Sequence, residues 1–237
     1  MLEPSEFIIH KSATETVRDL DHAHVWFCNL DEQNILDERP VFSAEEVARA
    51  TRLKSPLDCR RFLARCAFVR QILGGLTSRS PETLKFDETA KGKPILAAWT
   101  RKDEVSGTLN FNLSHSENIL GLIAAFDRNV GMDLEMVNSG LDLLRMGWEH
   151  LAAEDFRLLL ESKAEERLVL FYRLWTRREA VWKMRGIGIV SNQHESAPLT
   201  SSNLYPFEFV FGGKHVIGAL ALEAQPEKLS SPPAASF

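Results

Sequence analysis

The sequence predicts a mixed α+β fold, built as one large domain or as two domains of roughly 100–120 residues each. Three observations favour this fold class. The 237 residues are 44% hydrophobic and 26% charged, which is typical of a folded globular protein. Each half of the chain carries one long segment with helical periodicity, and β-prone runs accompany both segments. We therefore expect a duplicated α+β architecture, although no short-period repeat is visible.

The first half predicts one strand and two helices. A β-prone run at 24–30 indicates the strand, and Ser43 with Glu46 forms a capping box that opens a short helix. Apolar residues then recur at three- and four-residue steps over 57–76. This pattern indicates a long helix buried along one stripe, with its arginines on the other faces. The glycine pair at 74–75 is expected to weaken or end that helix.

Three adjacent strands are predicted in the middle of the chain. Residues 109–113 alternate between apolar and polar, and this strand gives way to Ser-His-Ser at 114–116. Apolar runs at 119–126 and 130–137 predict the other two strands, with a turn at 127–129 between them.

The second half predicts helices followed by a hairpin. One helical segment opens at 154–155, and a longer one over 168–185 ends at Gly186. The remaining segments predict a polar loop, two hairpin strands and a disordered tail, at 191–203, 207–211, 216–222 and 230–237.

Composition excludes several classes of protein. A net charge of −5 argues against bulk nucleic-acid binding. Three cysteines without a CxxC pair argue against a disulfide framework or a cysteine zinc site. The N-terminus lacks the apolar core of a signal peptide, and the uncharged run 118–126 is far shorter than the ~20 residues of a membrane helix. We expect a cytoplasmic protein that binds neither nucleic acid nor a membrane.

Two acidic residues lie two positions apart in a predicted strand. Asp133 and Glu135 project to the same face, because side chains alternate along a strand. Neighbouring carboxylates repel each other or share a cation, and their oxygen atoms favour Mg²⁺ over zinc. The alternative is an ordinary solvated strand face.

A second pair of charged residues, Glu179 and Lys183, lies four positions apart on the last long helix. The pair could be a helix-stabilising ion pair worth roughly 0.3–0.5 kcal/mol. Trp175 and Trp182 nearby favour a packed helix, with these charges at the edge of a pocket.

Further polar residues could bind phosphate. Ser114 and His115 can donate hydrogen bonds to phosphate oxygens, while no G-x-S-x-G elbow supports a serine nucleophile. A looser basic set could bind a polyanionic small molecule: Arg49, Arg52, Lys54, Lys91 and Lys93.

Four motifs in order resemble one enzyme family. They are Gly-Lys-Pro at 92–94, FNLSHS at 111–116, GMDLE at 131–135 and LWTRREAVWKMRGIG at 174–188. Together they resemble the 4′-phosphopantetheinyl transferases of the surfactin-synthetase-activating type. The resemblance implies transfer of 4′-phosphopantetheine from coenzyme A to a serine of an apo acyl, peptidyl or polyketide carrier protein, with release of adenosine 3′,5′-bisphosphate.

The resemblance also implies an architecture. Two similar α/β lobes would be related by a pseudo-twofold axis, with the active site in the cleft between them. The expected division is an N-terminal lobe at 1–128, a C-terminal lobe with the metal site at 129–228, and a tail at 229–237. Two fused lobes make a monomer sufficient.

Residue roles follow from the resemblance motif by motif. Asp133, Glu135 and Glu179 match magnesium ligands, and Mn²⁺ could substitute for Mg²⁺. Glu179 is also a candidate base for the carrier serine, directly or through a metal-bound water. Lys183 and His115 would supply positive charge or hydrogen bonds during catalysis. Coenzyme A would contact the following residues: Arg49, Arg52, Lys93, Ser114, His115 and Lys183.

Two other functions remain open. A Mg²⁺-dependent nucleotide phosphohydrolase could use the same carboxylates with water as the nucleophile, and a non-catalytic module could bind coenzyme A or a carrier. The identity of the carrier is also open, and the segment 139–150 is expected to be a loop that could contact it.

Overall fold

The structure is a computed structural model that describes residues 7–10, 21–32, 41–97, 107–186 and 204–224. They form a mixed α+β fold, as the sequence predicts. The strands are β1 Phe7–His10, β2 Ala23–Asn29, β3 Phe86–Glu88, β4 Pro94–Leu96, β5 Leu109–Ser116, β6 Ile119–Phe126, β7 Val130–Met136, β8 Leu204–Phe211 and β9 Lys214–Leu222. The helices are α1 Ala44–Ala50, α2 Pro56–Thr77, α3 Leu143–His150, α4 Ala153–Glu161 and α5 Arg167–Arg185, with a 3-10 turn at Pro81–Thr83. The predicted loop at 191–203 and tail at 229–237 lie outside the described residues.

The first sheet has the strand order β1-β2-β6-β5, and α2 covers one of its faces. Phe68 of α2 belongs to the same buried cluster as Trp26 of β2 and Leu122 of β6. The opposite face packs against the second sheet, where Ile123 of β6 clusters with Met132 of β7. Both faces of β6 are therefore covered, which explains why its sequence is continuously apolar instead of alternating.

The second sheet has the order β7-β9-β8, and α5 packs closely against it. Ala180 and Val181 of α5 meet Ala219 and Ala221 of β9 in a cluster of small side chains. In β7, a Cβ atom at Gly131 would overlap the carbonyl oxygen of Ala180. The absence of a side chain at this position lets the helix approach the strand.

The two sheets follow the same path of the chain. A strand, a long helix and a hairpin follow one another as β2, α2, β5 and β6 in the first sheet, and as β7, α5, β8 and β9 in the second. In both, the last strand of the series pairs between the other two. The two long helices that the sequence predicts, α2 and α5, are therefore equivalent. Each lies in the chain between the first strand of its series and the hairpin.

Side chains join the two sheets where β5 meets β7. Alternate residues of β5 present oxygen atoms that accept hydrogen bonds from alternate backbone N–H groups of β7: Asn112 from Met132 at 2.9 Å, Ser114 from Leu134 at 3.3 Å and Ser116 from Met136 at 3.1 Å. The period-two spacing of a strand places all three side chains on one face. The polar residues of the FNLSHS motif therefore have a structural role as well as a chemical one.

The helix predicted over 57–76 is confirmed, and two other predictions about helices need correction. Helix α2 continues through the glycine pair at 74–75 and ends at Thr77, followed by Ser78 in the left-handed region with φ 52°. A Cβ atom at Gly74 would lie 2.8 Å from the carbonyl oxygen of Arg79, so this glycine permits a close return of the chain. The segment 139–150 is not a loop throughout, because the side chain of Asp142 caps the N-terminus of α3.

Two strand predictions also change. The short strand β1, which no pattern indicated, pairs in parallel with β2. Ser114, His115 and Ser116 belong to β5 itself and do not follow it. Within the described residues, no helix has the length and apolar character needed to cross a membrane.

Candidate active site

A cavity of about 560 Å³ has walls from α1, α2, β5, β7 and α5, among other segments. This volume lies in the usual range for small-molecule sites. The lining includes acidic, basic and aromatic side chains, among them Glu46, Arg49, Phe62, Arg65, Phe86, Phe111, His115, Asp133, Glu135, Trp175, Glu179 and Lys183. Residues from all four of the sequence motifs, which lie far apart along the chain, thus line one cavity.

The carboxylates of Asp133 and Glu135 lie on the same face of β7, as their spacing predicts. The hydroxyl of Ser114 donates to Asp133 Oδ1 at 2.9 Å, and the hydroxyl of Ser116 donates to Glu135 Oε2 at 2.7 Å. The same two hydroxyl oxygens accept backbone hydrogen bonds from β7. The junction between the sheets therefore also orients both carboxylates.

Lys183 reaches from α5 to β7. Its Nζ donates to Asp133 Oδ1 at 2.7 Å and to Ser114 Oγ at 3.1 Å. Glu179, one helical turn earlier, also lines the cavity. Lys183 of α5 therefore contacts the strand β7. Its role is not limited to an ion pair with Glu179 on the surface of the helix.

The three carboxyl groups lie in a desolvated region, and each has a raised pKa. Burial raises the pKa of Asp133, although Lys183 and Ser114 oppose the shift. Burial, with a smaller contribution from the charge of Asp133, raises the pKa of Glu135 to about 7. Burial and the charge of Asp133 also raise the pKa of Glu179. Carboxylates that disfavour one another's ionisation form a favourable environment for a cation.

The chemistry of these donors suits a hard divalent cation. Asp133 is only 3% exposed, and its Oδ2 has no hydrogen-bond partner in the described part of the chain. A buried carboxylate oxygen is costly without a donor, and a cation would satisfy it. In that same part of the chain, no three acidic, histidine or cysteine side chains form a complete metal site. The residues thus fit Mg²⁺ by donor chemistry, while Lys183 holds the other oxygen of Asp133.

A basic and aromatic wall is formed by α1 and α2. The guanidinium carbons of Arg49 and Arg65 lie 5.4 Å and 5.3 Å from the ring centroid of Phe62. Burial lowers the pKa of His115, and the positive charges of Arg65 and Lys183 lower it further. Several positive or ionisable groups therefore line the same cavity as the carboxylates.

Arg65 was not among the predicted site residues, because the arginines of α2 were assigned to faces outside the buried stripe. The structure corrects this assignment. Phe62, Arg65, Cys66 and Val69 recur at i, i+3, i+4 and i+7, so they share one helix face, and all four line the cavity. This spacing was visible in the sequence, but periodicity alone does not distinguish a core stripe from the wall of a pocket.

Two predicted coenzyme A contacts do not line this cavity. Arg52 is exposed, and its Nε donates to the carbonyl oxygen of Ala48 in the preceding helix α1 at 3.0 Å. The Nζ of Lys93 donates to the carbonyl oxygens of Lys183 at 2.9 Å and Val130 at 3.3 Å. Lys93 thus ties the β3–β4 hairpin to the end of α5, while its neighbours Gly92 and Pro94 line the cavity. The roles of Arg52 and Lys93 in binding remain predictions from the sequence.

A smaller cavity of about 320 Å³ shares Glu135 and Trp175 with the first. Its lining is largely apolar or aromatic, with Leu141, Met146, Phe171 and Tyr172. Trp175 packs against Phe171 and His150, with ring centroids 5.7 Å and 4.5 Å away. Trp175 therefore lines both cavities.

Comparison with known proteins shows which sequences this chain is similar to. A family model described as the N-terminal part of 4′-phosphopantetheinyl transferases matches residues 32–127. The 4′-phosphopantetheinyl transferase HetI of Nostoc sp. is 35% identical over 182 residues, which cover 76% of this chain and 75% of HetI. AcpT of Salmonella typhi is 31% identical over 65% of this chain and 74% of its own length. The transferase psf-1 of Bacillus pumilus is 30% identical over 68% of this chain and 66% of its own length.

Proposed function

This chain belongs to the 4′-phosphopantetheinyl transferase family, and from that premise we propose how its residues transfer 4′-phosphopantetheine from coenzyme A to a carrier protein. The proposal depends above all on one observation. Asp133, Glu135, Glu179, Lys183 and His115, which belong to three separate motifs, line the same cavity. Carboxylates for a cation and donors for phosphate oxygens are therefore available side by side.

The pyrophosphate of coenzyme A would lie beside Asp133 and Lys183. His115 and Lys183 can donate hydrogen bonds to its oxygens, Ser114 would do so on releasing Asp133, and Arg49 extends the positive charge along the cavity. The lowered pKa of His115 favours its neutral form, which can donate one hydrogen bond without adding charge. Donors that are already in place stabilise developing charge more effectively than mobile water does.

Mg²⁺ would be held by Asp133, Glu135 and Glu179, with Mn²⁺ as a possible substitute, and it would neutralise charge on the pyrophosphate. The raised pKa values of these three residues support this assignment, because burial is their main cause and a cation would stabilise the ionised carboxylates in this desolvated region. Ser116 would hold Glu135 in its orientation through their 2.7 Å hydrogen bond.

The reaction would be a phosphoryl transfer to the hydroxyl of the carrier serine. The serine Oγ forms a bond to the phosphorus atom next to pantetheine, while the bond from that phosphorus to the bridging oxygen breaks. The electron pair leaves with adenosine 3′,5′-bisphosphate. Glu179 would accept the serine proton, since burial and Asp133 raise its pKa and make its carboxylate a stronger base. Lys183 would stabilise the negative charge of the leaving phosphate.

The pantetheine arm and the carrier need space beside this centre. The smaller cavity beyond Glu135 and Trp175 is mostly apolar, which suits the uncharged arm. The nucleophile would come from an apo acyl or peptidyl carrier protein, so the chain needs no activated serine of its own. We propose a monomer, because one chain supplies all of the residues named above. We also propose that it is cytoplasmic, as the sequence predicts.

Two lobes, related by a pseudo-twofold axis, would enclose the active site. The shared order of strands and helix in the two sheets supports this arrangement. The boundary would fall between residues 128 and 129, because β1, β2, β5 and β6 precede it and the strands of the second sheet follow it. The C-terminal lobe, at 129–228, would carry the metal site.

Intact-mass analysis of apo carrier proteins tests the function. The protein is incubated with coenzyme A, MgCl₂ and a panel of acyl, peptidyl and polyketide carriers, together with carriers whose acceptor serine is replaced by alanine. We expect a mass gain of one phosphopantetheine group only where the serine is present, with an equal amount of adenosine 3′,5′-bisphosphate. Hydrolysis of coenzyme A at the same rate without any carrier would instead support a phosphohydrolase, and binding without a mass change would support a non-catalytic module.

The variant Asp133→Ala tests the metal assignment in the same assay. Loss of this carboxylate should abolish transfer, because it removes a proposed cation ligand and the partner of Lys183. Asp142→Ala is the matched control, since Asp142 caps α3 and does not line either cavity. A wild-type rate for Asp133→Ala at saturating Mg²⁺ would contradict the assignment.

A further inference from the structure

Lys93 lies between two residues of the cavity wall, Gly92 and Pro94, but does not line the cavity itself. It ends the tight turn between β3 and β4. The N–H of Thr89 donates to the carbonyl oxygen of Lys93 at 2.9 Å, and the N–H of Lys93 donates to Thr89 Oγ1 at 3.0 Å. Gly92 has φ 79°, a left-handed conformation that favours glycine. The turn therefore has a defined conformation, from which the Lys93 side chain extends to α5.

The ammonium group of Lys93 contacts two elements of the second half of the chain at once. Its Nζ donates to the carbonyl oxygen of Lys183, in the last turn of α5, and to that of Val130 in β7. Among the described residues, no carboxylate pairs with Lys93, and burial lowers its pKa. A cation beside the last carbonyl groups of a helix is favourable, because these carry the negative end of the helix dipole. The contacts of Lys93 are therefore those of a group that holds α5 and β7 together.

These two carbonyl groups lie beside the contact that the reaction would use. Val130 precedes Asp133 by three residues on β7, and the Nζ of Lys183 donates to Asp133 Oδ1 at 2.7 Å. Helix α5 and β7 approach each other closely here, since a Cβ atom at Gly131 would overlap the backbone of α5. One ammonium group therefore contacts both backbones from which Lys183 and Asp133 project.

We propose that Lys93 is a positioning residue for the transfer reaction, which holds α5 against β7 and thereby keeps the ammonium group of Lys183 on Asp133. This inference rests on the proposed function, in which Lys183 stabilises the leaving phosphate. It replaces the coenzyme A contact that the sequence resemblance implies for Lys93, because its ammonium group binds backbone carbonyls and does not line the cavity. A misplacement of about 1 Å can slow a reaction about a hundredfold, so a residue that only supports Lys183 can affect catalysis.

A double-mutant cycle tests whether Lys93 acts through Lys183. The kcat and the KM for coenzyme A are measured for the wild type, Lys93→Met, Lys93→Arg, Lys183→Ala, the double variant Lys93→Met/Lys183→Ala and the control Lys85→Met. Methionine is long but has no donor, arginine keeps donors and charge, and Lys85 is exposed just before β3. We expect Lys93→Met to lower kcat about tenfold to a hundredfold with little change in KM, and Lys93→Arg to recover part of the loss.

The double variant should be no slower than Lys183→Ala alone, because the two residues act in series. Losses that multiply in the double variant would overturn the proposal. A raised KM with an unchanged kcat in Lys93→Met would also overturn it, in favour of a nucleotide contact. Thermal unfolding shows which variants are folded. If Lys93→Met does not fold, Lys93→Gln takes its place in the cycle, since its amide can still donate to one carbonyl group.

Amine labelling of the ligand-free protein gives a readout that does not depend on transfer. Acylation of the Lys183 amine, followed by peptide mass spectrometry, should be slow in the wild type, where Asp133 and Ser114 hold this group. It should be faster in Lys93→Met and unchanged in Lys85→Met. Equal labelling of Lys183 in the wild type and in Lys93→Met would overturn the proposal. Faster labelling in Lys93→Met, with a wild type that modifies no carrier, would contradict the proposed function and support the positioning role of Lys93.

Discussion

At the scale of single residues, Asp133 connects most of the chemistry. Its Oδ1 accepts hydrogen bonds from Ser114 and Lys183, while its Oδ2 has no partner within the described residues. One carboxylate therefore links β5, β7 and α5 and still presents an oxygen for a cation. The sequence motifs contain these residues. Only the structure shows that Lys183 and Asp133, fifty positions apart in the chain, form a direct contact in the cavity.

Removal of the Lys183 side chain should slow transfer strongly. Lys183→Ala removes a positive group next to the leaving phosphate and leaves Asp133 buried without its cation. A loss of about 10²–10³ in kcat is expected for one preorganised electrostatic donor. Arg185→Ala is the control, because Arg185 is exposed on the same helix. Steady-state kinetics with both variants measure this loss, and an unchanged kcat for Lys183→Ala would contradict the role given to this residue.

The raised pKa of Glu135 predicts a pH dependence of stability in metal-free protein. This pKa is 4.5 ordinarily and about 7 in the folded chain, so the folded state binds the proton more tightly. Glu135 therefore stabilises the folded state fully below pH 4.5, and this stabilisation is lost as the pH rises to about 7. In chelator, the wild type should therefore lose thermal stability relative to Glu135→Gln as the pH rises from 4.5 to about 7.

Magnesium should reverse this trend for the wild type. Metal binding requires the ionised carboxylate, so the rise in Tm on addition of MgCl₂ should grow with pH and should be smaller in Glu135→Gln. A difference in Tm between the two proteins that is independent of pH, with and without Mg²⁺, would contradict the raised pKa.

At the scale of secondary structure, β5 and α5 each serve both the fold and the site. Ser114 and Ser116 of β5 accept backbone hydrogen bonds from β7 and donate to its carboxylates. Helix α5 packs on the second sheet through small residues and presents Glu179 and Lys183 to the cavity. The close approach of α5 to β7 therefore sets how far Lys183 must reach to contact Asp133.

Two glycine variants test the importance of this close approach. Gly131→Ala should destabilise the protein by about 1–3 kcal/mol, because the new Cβ would overlap the backbone of α5 at Ala180. Gly75→Ala is the matched control, since nothing lies within 4 Å of its Cβ position, and it should stabilise α2 by about 0.5–1 kcal/mol. Urea unfolding measures both free energies. Equal effects of the two substitutions would show that the contact between α5 and β7 is not tight.

At the scale of the whole molecule, the cavity lies where the two sheets meet. Its walls come from α2, which covers the first sheet, from α5, which covers the second, and from β5 and β7 at the junction. The acidic side chains of the site belong mainly to the second half of the chain, and Arg49 and Arg65 belong to the first. A change in how the sheets meet should therefore affect binding and catalysis together.

The junction itself can be tested at Asn112, which contacts β7 without touching a proposed metal ligand. Asn112→Leu removes the acceptor for the buried backbone N–H of Met132, which then lacks a partner. The expected loss is about 1–3 kcal/mol of unfolding free energy, and the KM for coenzyme A should also rise. Asn110→Leu is the control on the same strand, because among the described residues the side chain of Asn110 bonds only Thr108. An unaltered unfolding free energy for Asn112→Leu would show that the side-chain junction contributes little.

The sequence by itself determined most of the local elements and the chemical class of the protein, although β1 and α3 were not predicted. Residues that are close in the chain are enough to predict the capping box at Ser43, the apolar strands and the left-handed glycine that ends α5. The four motifs identified the enzyme family. The −5 net charge gave no sign that Arg49 and Arg65 lie together in the cavity, because net charge averages over the whole surface.

Only the tertiary structure decided which charges share the cavity and which do not. Arg65 lines it, while Arg52 lies outside it and Lys93 binds backbone carbonyls instead. Helical periodicity identifies the residues that share a face, but it cannot tell whether that face meets a packed core or a cavity. The difference depends on contacts between residues far apart in the chain, since the cavity exists only where α2, β5, β7 and α5 come together.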